Sequence, residues 1–413
     1  MVRRRAGKAG NLKNAVLAVL LALNMFWLPA CAESVSVASS DLPDEDIVRI
    51  GIYQPLSGED KEGAKAEIMG IELAHKLQPR VLGKNIELVY ADNKSDVMGG
   101  KIAALKMVNK KVSIVLGSYG NIMSMTGGAY FQEAGIPAIA ITCSNPLVTK
   151  GNPYYFRVST IDSFQAVMAA KYVYNELKVQ NAAIMKLSED DYGSALAQQF
   201  SDKLNSLAQT EGEEAVKVTT VEYDKSSNDY SKQFGEIVAS GAEVIYLPCP
   251  AKEAVDIIAQ AREHGVKALF MGTDLWREAG FIEAGGKAVE GVVFTDYFDA
   301  ETATSEKAEA FLAAYHKEYG EEEPESATAL GFDAYMLALN AIEEYGKLQT
   351  GGQQNPEGET LRALLAGTRE YQGVTGSITF DTEGDPIKSV VLTTVDGGEF
   401  KHKYTAEPEW NQN

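Results

Sequence analysis

The stretch IVRIGIYQPLSGEDKEGAKAEIMGIELAHKL, residues 47–77, decides the fold because it passes directly from a strand pattern to a helix pattern. Ile47 to Tyr53 is a short apolar run with the length of a buried strand. From Gly63 to Leu77 apolar side chains recur at the spacing of one helix face, at Ile68, Ile71, Leu73 and Leu77. A strand that leads into such a helix is the first half of a βαβ unit.

Strand and helix patterns continue to alternate after this unit. We predict further strands at residues 86–90, 112–116 and 136–141, with helices at 97–110 and 121–134. The alternation then starts again, with strands at 182–187, 216–223, 244–247, 266–271 and 292–295 and helices at 192–209, 229–239, 251–264, 303–319 and 326–345. Residues 350–358 are typical of an exposed loop, and residues 373–400 of a β-hairpin with turns at 383–385 and 396–398. Two such runs predict an α/β chain of two lobes, each a parallel sheet covered by helices.

The first 30 residues have the composition of a secretory signal peptide. They hold five cations and no acid, followed by an apolar run at 15–27 and the sequence LPAC at 28–31. LPAC resembles the lipobox of bacterial lipoproteins, in which the cysteine, here Cys31, becomes the lipidated first residue; an ordinary signal peptide is the alternative. Residues 31–46 are mostly small, polar or acidic, which predicts a tether.

Composition and motifs argue against several classes of function. The formal charge is −20, which argues against nucleic acid and anionic membrane surfaces as partners. The chain has neither of the glycine-rich phosphate loops, G-x-G-x-x-G and G-x-x-x-x-G-K-[ST], and no G-x-S-x-G nucleophile turn. Its four histidines are dispersed, without the spacing of metal ligands. We therefore expect no enzyme activity, no cofactor and no metal site, and a secreted α/β enzyme is the weakest alternative.

Several segments, in this order, resemble the branched-chain amino-acid-binding protein family. They are RIGIYQPLSGED (49–60), IELVYADNKSD (86–96), IVLGSYGN (114–121), AGIPAIAITCSNPLVT (134–149), DDYGSALAQQF (190–200) and GTDLW (272–276). The resemblance spans about residues 47–400. Members of this family are type I periplasmic binding proteins of ABC importers. The resemblance implies two Rossmann-like lobes with parallel central sheets, joined by three crossovers, that close over a ligand held between them.

The resemblance also implies where the chain crosses between the lobes. The crossings should lie near residues 157–162, 291–297 and 373–381. The first lobe would then comprise residues 47–160 and 297–372, and the second lobe residues 161–296 and 373–413. The residue patterns alone would divide the chain once, at residue 160, and would not return the helices at 303–345 to the first lobe.

Ligands of open α/β sheets bind beyond the carboxyl ends of the strands. That rule selects loops 118–121 and 142–145 in the first lobe, loops 248–250 and 273–276 in the second, and loop 54–59.

In the first of these loops, Tyr119, Gly120 and Asn121 precede a predicted helix whose free N–H groups favour an anion. Asn121 stands where the family often has serine or threonine, and it either caps the helix or donates to a ligand carboxylate.

The next first-lobe loop contains Thr142, Cys143 and Ser144. The resemblance places Thr142 and Ser144 where relatives hold the ligand's amino and carboxylate groups, and the alternative is an ordinary turn before Pro146. Cys143, like Cys249 in the second lobe, ends a strand that points at the predicted cleft. We expect both to be small buried thiols rather than a disulfide, because a disulfide across the cleft would lock the lobes together.

In the second lobe, Tyr192 matches a family tyrosine that covers the ligand, and the alternative is packing on its own lobe. Pro250 lies where relatives place a second aromatic residue, and Trp276 is either a pocket wall or an interface residue. Asp274 has no metal or catalytic partner in any motif, so it either caps the following helix or binds a cation. The resemblance assigns it to the α-ammonium group of the ligand, which a buried carboxylate binds strongly.

These observations predict an exported, lipid-anchored solute-binding protein that holds an α-amino acid, branched-chain or otherwise apolar, between two lobes. Its expected partners are the amino acid, an ABC permease and, through the lipid anchor at Cys31, the membrane, and we expect a monomer. The alternatives are a sensory receptor subunit of the same fold or a binder of another small amine or carboxylate.

Overall fold

The structure, a computed structural model, describes residues 46–278, 280–320, 322–348 and 357–408. The predicted signal peptide, Cys31 and the predicted tether up to residue 45 lie outside the described residues, as does most of the predicted loop at 350–358. Within the described ranges, no helix combines the length and the apolar character that a membrane crossing requires.

The first sheet has six strands and forms the base of what we call the first lobe. Its strands are β1 (Ile47–Gln54), β2 (Arg80–Val81), β3 (Lys84–Asp92), β4 (Ile114–Leu116), β5 (Ala138–Ala140) and β6 (Tyr155–Arg157). They lie in the order β2-β3-β1-β4-β5-β6, and all neighbours are parallel except β2 and β3. The connecting helices are α1 (Lys61–Leu77), α2 (Val97–Asn109) and α3 (Asn121–Ala134).

The second sheet has seven strands and forms the base of the second lobe. Its strands are β7 (Asn181–Leu187), β8 (Lys217–Tyr223), β9 (Val244–Tyr246), β10 (Leu269–Gly272), β11 (Val293–Asp296), β15 (Val390–Asp396) and β16 (Glu399–Ala406), in the order β16-β15-β11-β10-β9-β7-β8. The pairs from β11 to β8 are parallel, whereas β15 and β16 add an antiparallel edge. The helices are α4 (Asp162–Asn175), α5 (Asp191–Glu211), α6 (Ser231–Ser240), α7 (Ala251–Glu263) and α8 (Phe281–Gly285).

The chain between β11 and β15 leaves the second sheet and packs on the first lobe. It contains α9 (Glu306–Tyr319), α10 (Ser326–Leu348), α11 (Gly358–Ala366) and a small sheet of β12 (Tyr371–Gly373), β13 (Gly376–Phe380) and β14 (Pro386–Ile387). One apolar cluster joins residues of α10 with Ile50 and Ile52 of β1 and with Ile378 of β13. Helices α1 and α10 cross so closely that a Cβ on Gly70 would lie 2.0 Å from the carbonyl oxygen of Thr328.

The predicted fold class, an α/β chain with two mainly parallel sheets, is confirmed. Most strand and helix bounds differ from the predicted ones by up to three residues, whereas α4 was not predicted at all. Eight of the 14 residues of α4 are buried, and all eight lie between Gln165 and Tyr174. This part of the helix therefore lacks the polar face from which an amphipathic pattern is recognised. The residue bounds predicted for the two lobes stay predictions.

Buried charges join the chain segments that cross between the sheets. Arg157, at the end of β6, is fully buried, and its Nε lies 2.6 Å from Oδ1 of Asp385, in the turn before β14. Its Nη1 donates to the carbonyl of Cys143 (2.7 Å) and its Nη2 to the carbonyl of Asn145 (2.9 Å). Nearby, Nζ of buried Lys388 lies 3.3 Å from the carbonyl of Val158. One cation therefore fixes two crossing segments and the loop after β5.

Replacing Arg157 with methionine should lower the free energy of unfolding by about 3–5 kcal/mol, because Asp385 would stay buried without its cation. Urea unfolding followed by circular dichroism measures the change. The matched control is Lys76→Met, which removes the exposed ion pair between Lys76 and Glu318 and should cost less than about 1 kcal/mol. Equal losses in the two variants would contradict the role given to Arg157.

Candidate ligand-binding site

The predicted site loops follow the carboxyl ends of strands in both lobes. Charges of the second-lobe loops act on a tyrosine of the first lobe. Tyr119, after β4, is partly buried. Its pKa is raised to about 12, first by burial, then by Glu67 and Asp60 and by two carboxylates of the second lobe, Glu278 and Asp274. Tyr119 therefore lies near enough to Asp274 and Glu278 for their charges to act on it, which brings the loop after β4 near the loop after β10.

In the first lobe, the loop after β4 is shaped by Gly120. This residue has φ of +90°, a conformation that side chains disfavour, and it immediately precedes α3. The first residue of α3, Asn121, is partly buried, and its Oδ1 accepts the backbone N–H of Asn145 at 3.2 Å. The Asn121 side chain thus ties the two first-lobe loops together, and its contact with a ligand stays a prediction.

Thr142, predicted to contact the ligand, uses its polar groups within the protein. Its backbone N–H donates to Oε1 of Glu67 at 3.2 Å, and its hydroxyl donates to the same oxygen. The other oxygen of Glu67 accepts Nε2 of Gln54 at 2.6 Å, and Oε1 of Gln54 accepts the N–H of Tyr119 at 2.7 Å. Glu67 therefore connects the two loops from behind, and the sequence analysis did not identify it.

Both cysteines of the site loops are buried and free. The Cys143 thiol donates to the carbonyl of Ser118 at 3.0 Å, and burial is the main cause that raises its pKa to about 12. Cys249 lies in the apolar core of the second lobe, and its carbonyl accepts the indole N–H of Trp276 at 3.0 Å. These positions match the expectation of two small buried thiols.

The structure places Trp276 in the core and Pro250 at the surface, and contact of Pro250 with a ligand stays a prediction. Trp276 is fully buried and stacks on Phe281, with ring centroids 5.6 Å apart, inside the core of the second lobe. Pro250 is exposed and immediately precedes α7. Because Trp276 is packed among core side chains, we do not carry it into the proposed ligand site.

Asp274 lies directly after β10, at the start of a short 3₁₀ turn over 274–276. It does not cap that turn, because the capping position belongs to Thr273. Its Oδ2 accepts the hydroxyl of Tyr297 at 3.0 Å, whereas its Oδ1 is buried and has no hydrogen-bond partner among the described residues. Burial and the neighbouring carboxylate of Asp162 raise the pKa of Asp274 to about 7.

Asp162 is the second acid of this site, and it begins α4. Its backbone N–H donates to the carbonyl of Ser144 at 3.1 Å, so it is attached to a first-lobe loop. In the part of the chain that the structure describes, its Oδ1 is also buried without a hydrogen-bond partner. Burial raises the pKa of its carboxyl to about 6, although the Ser144 hydroxyl and Arg157 oppose this shift. The charge of Asp162 acts on Asp274, and each of the two acids leaves one buried oxygen that a ligand can use.

Tyrosines surround the two acids. Burial, followed by Asp274 and Asp162, raises the pKa of Tyr192 and of Tyr297 well above the ordinary value. The Tyr192 hydroxyl lies 3.4 Å from Oγ1 of Thr273, and the Tyr297 hydroxyl accepts Nε2 of Gln165 at 2.9 Å. Aromatic faces and buried carboxylates are groups that attract an organic cation. No cluster of three or more potential metal-ligating side chains occurs among the residues that the structure describes.

From the sequence, Asp274 was named as a candidate ligand contact and Asp162 was not named as one. Asp162 and Tyr297 were named only as the ends of crossing segments. Asp162 was not considered as a site residue because the helix that begins there was not predicted. An acid at the first turn of a helix that leaves a crossing segment is the signal that would have identified Asp162.

Comparison with known proteins gives the family. A family model described as periplasmic binding protein matches residues 47–399. The chain belongs to the periplasmic binding protein family. The resemblance to branched-chain amino-acid-binding proteins is thereby confirmed, and with it the assignment to solute-binding proteins of ABC transporters rather than to enzymes. Members of this family act outside the cytoplasm, which is the compartment predicted for this chain.

Individual relatives agree with this assignment. The chain is 27% identical over 364 residues to Leu/Ile/Val-binding protein homolog 2 of Brucella abortus (strain 2308), covering 86% of this chain and 93% of the relative. It is 30% identical to a leucine binding protein of Thermotoga maritima MSB8, with a TM-score of 0.74 over 87% of this chain and 99% of that chain. A branched-chain amino acid transporter substrate binding protein of Streptococcus pneumoniae, solved in complex with isoleucine, is 26% identical, with a TM-score of 0.71 over 88% of this chain and 99% of that chain.

Asp274→Asn should stabilise the ligand-free protein near neutral pH. The pKa of Asp274 is about 7 in the folded protein, far above that of an unfolded aspartate, so its ionisation destabilises the fold at pH values above about 4. After allowance for partial exposure, we expect the variant to gain about 2 kcal/mol at about pH 8, and the gain to shrink towards pH 4. Urea unfolding at the two pH values measures it.

Asparagine keeps the size of aspartate and can still accept a hydrogen bond from Tyr297, so a gain reflects the lost charge. The exposed Asp202→Asn variant is the control and should change little. A loss of stability in Asp274→Asn that is independent of pH would show that the carboxylate serves the fold rather than a ligand.

Proposed function

We propose that this protein binds an α-amino acid between its two lobes and delivers it to an ABC permease. The observation that carries the proposal is the pair of buried carboxylate oxygens, Oδ1 of Asp162 and Oδ1 of Asp274, that lack hydrogen-bond partners. Buried polar atoms are almost always hydrogen-bonded, and a native exception indicates a place for a missing group. A group that is positively charged and donates hydrogen bonds would bind favourably to these two carboxylates.

A primary ammonium group meets both requirements. It has three N–H donors and one positive charge. Besides the two carboxylate oxygens, Oγ1 of Thr160, two residues before Asp162, is also buried without a hydrogen-bond partner. An ammonium at this place reduces the repulsion between the two carboxylates and supplies the missing hydrogen bonds.

The ligand's carboxylate belongs, in this proposal, to the first lobe. Helix α3 begins beside the loop after β4, and unpaired N–H groups at a helix start favour an anion. The Ser144 hydroxyl lies in the adjacent loop, next to Asp162. A ligand with an ammonium and a carboxylate on one carbon fits between these groups, and the names of the relatives support a branched-chain or other apolar side chain.

Closure of the lobes follows from where the two ends of the ligand would bind. Both acids belong to the second lobe, Asp162 at the start of α4 and Asp274 after β10, whereas the groups proposed for the ligand's carboxylate belong to the first lobe. An amino acid that pairs its ammonium with the acids and its carboxylate with the first-lobe loops therefore contacts both lobes only when they are closed. Ligand binding therefore favours the closed form, as expected for hinge motion. A lipid anchor at Cys31 would keep this cycle next to the membrane.

A thermal-shift panel of the twenty amino acids tests the proposal, together with matched analogues such as leucine and 4-methylpentanoate, which lacks the amine. A ligand at about 100 times its Kd adds about 2.7 kcal/mol of stability, so the cognate amino acid should raise the melting temperature by a few degrees. The amine-free analogue should not raise it, because it cannot pair with the two acids.

The same panel on Asp162→Asn separates the acid pair from other contacts. We expect this variant to bind the cognate amino acid at least about tenfold more weakly, whereas Asp202→Asn should bind like the parent. Stabilisation by amine-free acids alone would contradict the proposal.

A further inference from the structure

Glu67 is a buried carboxylate whose charge takes no part in the ligand contacts proposed so far. It lies in α1 with no exposed surface, and its hydrogen bonds come from neutral groups only, namely Thr142 and Gln54. Across the described residues, no ion pair reaches its carboxylate, and no cation is among the causes of its pKa, which burial raises to about 7. The protein thus keeps an ionisable group without a counter-charge directly behind the first-lobe loops.

The position of Glu67 matters because it shares donors with the expected ligand. The Thr142 hydroxyl and N–H point at Glu67, and Gln54 continues the connection to the N–H of Tyr119. These are backbone and hydroxyl donors of the two loops assigned to the ligand carboxylate. A second carboxylate in this place would meet both a like charge and donors that are already occupied.

We propose that Glu67 takes up a proton when the site binds a carboxylate, and that this proton releases the Thr142 hydroxyl to donate to the ligand. This inference rests on the proposed amino-acid site. It makes Glu67 a positioning residue that selects for carboxylate ligands according to pH.

The exchange of hydrogen bonds balances with one proton from solvent. An ionised Glu67 only accepts, so the hydroxyl hydrogen of Thr142 is directed at it. A protonated Glu67 donates its own hydrogen to Oγ1 of Thr142, and the hydroxyl hydrogen then turns towards the ligand carboxylate. The net charge in the buried loops stays at one negative charge, because the ligand's carboxylate replaces the charge of Glu67.

The titratable groups that face Glu67 do not compete for this proton. Tyr119 and Cys143 both interact electrostatically with Glu67, and the pKa of each is raised to about 12. From α10, the close contact to Glu67 is made by Gly331, which has no side chain to titrate. Asp162 and Asp274 titrate near the same range, but they belong to the ammonium side, and their ionisation strengthens binding as pH rises.

The test is the Kd of the amino acid that gives the largest thermal shift, measured by calorimetry between about pH 7 and 8.5 for the parent and for Glu67→Gln. The parent should bind about tenfold more weakly at the upper pH, because Glu67 must be protonated against a rising pH. Glutamine donates to Thr142 at every pH, so the variant should change by no more than about twofold. Ionisation of the ligand and of the acid pair is common to both proteins.

Proton uptake gives a second measurement that does not depend on the variant folding. At about pH 8, binding enthalpies of the parent in two buffers of different ionisation enthalpy should show uptake of about one proton more for the amino acid than for the corresponding amino alcohol, which lacks the carboxylate but keeps a protonated amine at this pH. Equal uptake for the two ligands, or parallel pH profiles for parent and variant, overturns the role of Glu67 and leaves amino-acid binding intact. If no amino acid binds at either pH, the proposed function itself fails, and this inference fails with it.

Discussion

The proposed site depends on two like charges, Asp162 and Asp274, that act on each other and are kept largely out of water. Neither Asp162 nor Asp274 has a cation that neutralises it fully: Arg157 lowers the pKa of Asp162, but burial outweighs this effect. Hydrogen bonds from the Tyr297 hydroxyl to Asp274 and from the Ser144 hydroxyl to Asp162 hold the carboxylates in place. The arrangement costs folding free energy in the absence of a ligand, which is the usual relation between a binding site and stability.

Buried polar networks hold the segments that cross between the two sheets. Arg157 joins the first and third crossings and holds the carbonyl groups of the loop that contains Ser144. At the second crossing, Asp296 is buried, pairs with Arg277 at 2.9 Å and accepts the hydroxyl of Ser326, the first residue of α10, at 2.5 Å. Polar networks of this kind fix the directions of the crossing strands through contacts that a purely apolar hinge would lack.

The sequence predicted the alternation of strands and helices well because each strand is a buried apolar run and most helices have one apolar face. It did not predict α4, whose surface is buried almost all round, and therefore missed Asp162. The loops at strand ends were predictable from the general rule for α/β sheets, and so was the acid at Asp274. The directions of the individual side chains in these loops were not predictable: Trp276 packs into the core, and the Thr142 hydroxyl donates to Glu67. These choices are set by contacts between residues far apart in the chain, which no local pattern contains.

The central claim is that one cation of the ligand is shared by the two acids. The most direct measurement is a crystal structure of the protein with its cognate amino acid bound. The account predicts that the ammonium nitrogen lies about 3 Å from Oδ1 of Asp162 and from Oδ1 of Asp274, with the ligand's carboxylate towards the first-lobe loops. A ligand whose nitrogen is hydrogen-bonded to neither acid, or whose carboxylate points at them, would contradict it.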